Sequence, residues 1–418
     1  MLSRNFLLSL LLFFSMLFSQ STMSGYGYGM FSQNDDAATI GLGSVGLLPS
    51  FKNDVALSNP STWHNLPFTY ISTSFEGQFN DFNSSSSKNS GLASAKLIIP
   101  SKRKVSFGLT FKPLFSREIT ITDSTFNEFI FVESDTLKYS RSNKTGGGSS
   151  MAQFAVGYKV NETDDIGVGI DVIFGSSRSS QNLIIDSDDH LLQSRDYFSG
   201  SLIELYYTTR RFVFKDKPLV LSLNYNFSLN NVDVENESYQ AFLDLNSNNY
   251  HDSNDYPNVS AALLPLNTVF KNEMSIKDFK AGVDYEFADR YHAQLEIQLW
   301  NDSGKNALSS SLYPGYIKGK NKINIGFFKS AKPYSKERFN VRAGLSFSDY
   351  DIKNLDNVKE IGLGLGLGIE FGLTSNQIDI GYNLLNRDNI YNVGSETIQS
   401  FNIGISIGDV WFVKRRQT

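Results

Sequence analysis

From about residue 66 onward, apolar residues return at every second position along the chain. Val105, Phe107, Leu109 and Phe111 share one face of an extended segment, as do Ile166, Val168, Ile170, Val172 and Phe174. Leu219, Leu221, Leu223, Tyr225, Phe227 and Leu229 do the same, with Ser222, Asn224, Asn226 and Ser228 opposite them. The pattern recurs over Phe279 to Phe287, Tyr291 to Leu299 and Phe339 to Phe347, and Ile361, Leu363, Leu365, Leu367, Ile369 and Phe371 alternate almost wholly with Gly. A period of two belongs to strands, whose successive side chains point to opposite faces. It predicts an all-β chain but leaves open a soluble sandwich or a membrane barrel, since both pair an apolar face with a polar one.

The connections choose between them. Strands begin near residues 68, 91, 104, 151, 165, 199, 218, 278, 290, 319, 337, 358, 376 and 397, about fourteen in all, an even number as closed bacterial barrels have. Tight turns at Pro100 to Arg103, Asn161 to Asp164, Ala288 to Arg290 and Thr374 to Asn376, with a modest one at Lys332 to Glu337, alternate with long polar stretches at 80–90, 116–150, 176–198, 230–277 and 301–318. A sandwich has no reason to lengthen every second connection, whereas an outer-membrane barrel has short periplasmic turns and long external loops. The expectation is a transmembrane antiparallel β-barrel in a bacterial outer membrane, with both termini periplasmic and membrane lipid around it.

Residues 1–21 read as a secretory signal peptide, with Arg4 ahead of the apolar run Phe6 to Phe18 and small residues, Ser19 and Ser21, around the expected cleavage point. The alternative is an uncleaved anchor, for which the run is short against the ~20 residues of a spanning helix. No later stretch is long and apolar enough, so an integral chain spans by strands. Residues 22–67 lack the strand pattern and have the right size for a plug folded back into the lumen, followed by a barrel over 68–412 and a periplasmic tail over 413–418. The chain has no cysteine, so neither disulfides nor thiolate metal sites are available. The net charge of -5, about -6 without Arg4, argues against nucleic acid as a partner.

Two N-terminal motifs, Gly41 to Gly46 (GLGSVG) and Ala56 to Ser61 (ALSNPS), stand ahead of the first alternating strand. They resemble the start of the FadL-type outer-membrane transporters, which have a leader, a plug, an Asn-Pro-Ala signature and fourteen strands. Here the signature is Asn59, Pro60 and Ser61, so its third position departs. The ending NIGISIGDVWF and the earlier GLGLGLGIEF are similar to FadL-like and PorV-like barrels of the Bacteroidetes. Phe401 to Phe412 resembles the closing strand read by barrel assembly machinery, a partner during biogenesis, although Lys414 to Thr418 follow the aromatic finish. The resemblance implies passive uptake of long-chain fatty acids or other hydrophobic small molecules, with Asn59 and Pro60 at the plug. Its PorV-like side implies instead a docking platform for secreted proteins. From the residues alone, GLGSVG is equally a glycine-rich turn segment, and Asn-Pro a simple turn.

Loop 230–277 carries two further candidates. Asp244, Asn246, Asn248, Tyr250 through its carbonyl, Asp252 and Asp255 fall at positions one, three, five, seven, nine and twelve of an EF-hand-like calcium loop. Asn249 stands where Gly usually supplies the positive φ. The alternative is a solvated Asn/Asp-rich loop, and no cofactor is required by anything else in the chain. Downstream, Leu263, Leu264, Leu266 and Phe270 form an apolar patch suited to a hydrophobic ligand or to packing over the barrel mouth. Catalysis is not expected: there are only 4 His, and His292, near Glu296, reads as a lumen polar residue, as do Asp171, Glu204, Arg342 and Glu370. If the calcium spacing is functional, calcium protects loop 230–277 of intact barrels from protease. Identical cleavage with and without chelator removes the metal reading.

Overall fold

The structure, a computed structural model, describes residues 22–31, 36–82, 85–101, 104–132, 135–185, 188–238, 242–243, 245–246, 254, 256, 270–304, 315–331, 338–372, 376–390 and 394–409. The leader, the final aromatic pair Trp411 and Phe412, and the tail lie outside these residues. The described chain is almost all strand. After a two-residue strand β1 (Met30–Phe31) come β2 (Thr69–Phe82), β3 (Ser85–Pro100), β4 (Val105–Ser116), β5 (Ile119–Val132), β6 (Asp135–Lys159), β7 (Asp164–Ile185), β8 (Asp188–Phe214) and β9 (Lys217–Ser238). The second half holds β10 (Phe242–Leu243), β11 (Phe270–Met274), β12 (Ile276–Ala288), β13 (Tyr291–Asp302), β14 (Ile317–Lys329), β15 (Phe339–Ile352), β16 (Val358–Phe371), β17 (Asn376–Ile390) and β18 (Gly394–Asp409).

These elements make a closed ring of fourteen antiparallel strands. β4 and β5 both pair with β6 and are halves of one strand broken at Arg117 and Glu118; β11 and β12 likewise both pair with β9. β1 and β10 are short strands that are not among the fourteen. The ring closes where β18 pairs with β2, from Asp409 opposite Thr69 to Glu396 opposite Phe82. Closure removes the free edge around most of the ring, the condition for strands to cross hydrocarbon, and the exception is the short pairing of β3 with β4. No described helix is long and apolar enough to cross a membrane.

Burial is inverted relative to a soluble sheet. Ile361 is 58% exposed and Val172 52%, while the inward Asp171 and Asn402 are at 0%. The apolar parity faces lipid and the polar parity faces the lumen, which disposes of the sandwich. One rim is built of short connections, among them the two-residue turn Lys215–Asp216, whose positive φ values of 49° and 62° match a type I′ hairpin. At the other rim the stretches 80–90, 116–150 and 176–198, expected as loops, are largely strand: β5 through β8 continue the ladder to Val132–Asp135 and Ile185–Asp188. Above the membrane no apolar face is needed, so the alternation that marks a strand in lipid fades from the sequence while the backbone goes on pairing.

The described residues 22–31 and 36–66 lie inside the ring. They contact inward faces of β3, β8, β13, β14 and β15 through side-chain bonds, and their buried members Ile40, Leu42, Val45 and Leu48 are at 0% exposure. A short helix α1 (Ala37–Gly41) is capped by Asp36, whose carboxylate accepts from the Thr39 amide at 2.9 Å while the Thr39 hydroxyl accepts from the Asp36 amide. Glycine on the wall lets this backbone come close. A Cβ on Gly344 would lie 2.1 Å from the Leu42 carbonyl carbon, and one on Gly364 2.3 Å from the Ile40 carbonyl oxygen. The Gly parity of GLGLGLG is therefore the seat of the N-terminal segment, and its Leu parity faces lipid. Replacing Gly364 by Leu overpacks that seat, a change that costs about 1–3 kcal/mol in tight interiors. The expected result is a ring that still forms but a segment 22–66 that trypsin cuts at Lys52, where the parent resists.

Candidate functional site

The Asn-Pro-Ser signature is wholly internal. Asn59 caps the 3-10 turn Pro60–Asn65, accepting from the Ser61 amide at 3.2 Å and the Ser61 hydroxyl at 2.7 Å. Its amide donates to the Leu47 carbonyl at 3.0 Å and to Thr208 Oγ1 on β8 at 3.2 Å. The Ser61 hydroxyl lies 2.8 Å from Thr208 Oγ1, which in turn lies 3.0 Å from Ser222 Oγ on β9. The departing third residue thus adds a hydroxyl that the wall matches with another. Asn59 and Ser61 are at 0% exposure, and the polar contacts described for them are internal.

Further anchors surround it. Glu296 on β13 accepts from the Leu47 amide at 2.7 Å and the Gly46 amide at 3.1 Å, and Gln294 donates to the Pro49 carbonyl at 2.6 Å. Arg342 on β15 donates to the Ser50 carbonyl and to Asp379, each at 2.7 Å. Lys96 on β3 pairs with Asp36 at 3.0 Å and donates to Ser58 at 2.7 Å. These charges are buried with partners, so deleting one side leaves an uncompensated buried charge, far costlier than the pair itself is stabilising.

Toward the long-strand rim the lumen turns apolar. Met23, Tyr26, Tyr28 and Met30 pack with Phe115, Met151, Phe198, Trp300 and Tyr350, and Phe31 stands 4.4 Å from the Trp300 ring and 4.6 Å from that of Phe115. Against this cluster lies a cavity of about 120 Å³. Phe31, Leu114, Met151 and Trp300 give it apolar walls, while Lys112, Lys280, Lys320 and Lys322 face Glu204, Asp278 and Glu296. Lys320 is buried, its ammonium 5.7 Å from the Phe31 ring centre and 5.6 Å from that of Tyr350, and among the described residues no carboxylate pairs with it. Cation–π contact compensates a desolvated ammonium only partly, so an anion entering the cavity would stabilise the charged form of Lys320.

The wall is split beside this cavity. β3 pairs with β4 only from Pro100 opposite Ser106 to Ala95 opposite Phe111. Beyond Phe111, Phe115 and Ser116 pair on one edge with Ser149 and Gly148 of β6 and on the other with Phe31 and Met30 of β1. The N-terminal segment thus takes the edge that β3 leaves, directly next to the cavity residues Lys112 and Leu114.

Of the residues singled out in sequence, Asn59 and Pro60 come together with the wall. Glu204 and Glu296 reach the cavity, and Asp171 and Arg342 lie buried on the inner face. His292 stands 3.1 Å from Asp284 across the inner face of β12 and β13. Leu263, Leu264 and Leu266 lie outside the described residues, as do Asp244, Asn248, Tyr250, Asp252 and Asp255; Phe270 begins β11, and Asn246 is exposed. Sequence reasoning missed Lys320 and Lys322. Their parity with Asn324, opposite Ile323, Ile325 and Phe327, was the available signal, hidden at its start by a bulge between Ile317 and Gly319. Replacing Asn59 by Ala orphans buried groups on both the segment and β8, at about 1–3 kcal/mol per unsatisfied group. Urea unfolding in detergent, followed with protease protection at Lys52, should show a loss of about 2–4 kcal/mol for Asn59→Ala and about 1 kcal/mol for Ser61→Ala.

Solved structures show the same fold. A Pseudomonas aeruginosa FadL homologue superposes with a TM-score of 0.57 at 11% identity, over 94% of this chain and 100% of that one. The CymD monoaromatic hydrocarbon channel gives 0.54 at 12% identity over 90% and 98%, and the Ralstonia pickettii toluene transporter TbuX 0.53 at 10% over 91% and 98%. No curated protein sequence matches. The model of one protein family, BamG, matches residues 1–417, and over essentially its whole length the chain belongs to the BamG family.

Proposed function

We propose that this outer-membrane barrel takes up hydrophobic small molecules, with amphiphiles bearing a negative head, long-chain fatty acids first among them, as the substrate class. The observation that carries the reading is the cavity in which Lys320, with no carboxylate ion-paired to it among the described residues, stands beside Phe31, Met151 and Trp300. At about 120 Å³ it is smaller than the roughly 300–1,000 Å³ of a pocket for a drug-sized ligand. A long alkyl tail therefore needs the room held by Met23 to Phe31, and binding draws on displacement of that stretch. Displacing β1 uncovers the β4 edge at the split from β3, which gives the ligand a sideways exit where the lower lumen is filled by residues 36–66. We place the short-turn rim and both termini in the periplasm, so that entry is from outside. The hydrocarbon channels of the same fold lend support to the class of ligand but not to its identity.

A second reading, a docking platform for secreted proteins, draws on β6 to β9, whose 22 to 27 residues far exceed the roughly 9–11 needed to span. Quenching of Trp300 by a brominated long-chain carboxylate separates the two. Uptake predicts saturable quenching that Trp300→Phe abolishes, and Lys320→Met weakens affinity about tenfold, the loss of about 1.4 kcal/mol. It also predicts barrel-dependent flux of the same carboxylate into vesicles. Absence of both, with a large protein retained at the long-strand rim, favours the platform.

A further inference from the structure

We propose that the wall above the membrane is a lid. The upper parts of β6, β7, β8 and β9, with β5 and β11, swing as one sheet about a line that crosses them just above the lipid band, and outward movement frees the stretch Met23 to Phe31. The line is a run of backbone irregularities at matching heights. β4 gives way to β5 at Arg117 and Glu118. Ser116 stands opposite Gly148 on β6, which stands opposite Ser176 on β7, and at this level Gly147 has a φ of 84° and Gly175 one of 140°. β8 shifts register twice between Ser199 and Leu202 where it meets β9. Residues 228–231 of β9 lie between its ladder with β12 and its ladder with β11, and there the Ile276 amide donates to the Ser228 hydroxyl at 2.9 Å. Bulges and glycines at positive φ are where sheets bend.

Two features leave the upper sheet free to turn on this line. Its lateral edges are open, since in the described ladders β5 pairs only with β6 and β11 only with β9. The lipid-facing run on β7 ends at Phe174, so the line stands where hydrocarbon no longer flanks the wall. The sheet is also tied across its width. Arg117 pairs with Asp196 and donates to Ser177 at 3.0 Å, and Asn236 donates to Asp196 at 2.6 Å, which links β7, β8 and β9. It therefore moves as one body.

The inner face couples the sheet to the lumen. Phe198, Val232, Val234 and Met274, just above the line, pack in one buried cluster with Met23, Tyr26, Tyr28 and Met30, and the Tyr28 ring meets that of Phe198 edge-on at 6.1 Å. Leu114, Met151, Leu202 and Ile276, just below the line, belong to the cavity wall. Outward movement thus removes one side of the packing around Met23 to Phe31 and leaves the cavity in place. Use of the lid for ligand entry rests on the uptake reading; the lid itself does not.

Hydrogen exchange of the full-length barrel in detergent tests the hinge. We expect amides at 117–118, 146–148, 199–202 and 228–231 to exchange about tenfold faster than those on both sides of the line, at 140–145, 150–156, 168–174 and 178–182. A wall that only frays exchanges progressively faster toward its strand tips with no fast band, and that result overturns the lid. The chain has no cysteine, so spin labels at Ser180→Cys in the sheet and Lys359→Cys on the far wall report the position of the sheet. Two distances are expected, against one for the ring pair Glu162→Cys with Lys359→Cys. A single distance for the first pair overturns the lid. Gly147→Ala with Gly175→Ala should enrich the second distance about threefold, because side chains rarely adopt positive φ. In the packed arrangement the added Cβ atoms would also lie 2.4 Å from the Ser176 carbonyl oxygen and 2.5 Å from that of Gly148. Two distances whose ratio a brominated long-chain carboxylate shifts support the lid as the entry gate. A ratio that the carboxylate leaves unchanged, with Trp300 still quenched, keeps the hinge and overturns its part in entry.

Discussion

Inside a bilayer a strand has no water to satisfy its amides, and the ring exists because β18 returns to β2 and closes the sheet on itself. Closure also creates a polar lumen. Here it is filled by the chain's own N-terminal segment, seated on inward glycines at Gly344 and Gly364 and tied by Asn59, Glu296 and Arg342 to strands far apart in sequence. Because the seat is backbone against backbone, the fit tolerates no side chain at those positions, and the wall and the segment specify each other.

The same packing divides the lumen into two regimes. Residues 36–66 are held by charged and amide groups with defined partners, a network expensive to break one bond at a time. The stretch Met23 to Phe31 packs into an apolar cluster and adds a two-residue ladder on β4. Apolar contact is non-directional, so another apolar body of similar shape replaces it at small cost. The proposed entry of a ligand uses this difference: the outer stretch yields while the inner segment stays seated. The cavity, Lys320 and the incomplete pairing of β3 with β4 all meet at that boundary.

The long-strand rim shows how a barrel acquires surface without acquiring loops. β6 to β9 keep their ladder past the membrane, which leaves the outward parity free of any need to be apolar. Arg117, at the break between β4 and β5, pairs with Asp196 and donates to Ser177 on the inner face of this wall, stiffening it where lipid no longer supports it.

What the sequence determined by itself was the strand count and the identity of the two faces, because period two and apolar parity are local and lipid enforces them residue by residue. Phe107, Val168 and Leu363 announce their environment without reference to any other part of the chain. It also marked Asn59 and Pro60 as distinctive, but not Thr208, their partner on a strand about 150 residues away. Tertiary structure alone decided that partner, the function of the glycine parity in β16, the strand character of residues 119–132, and the meeting of Lys320 with Phe31. Each of these depends on ring closure bringing distant strands around one segment, and no local pattern carries that information.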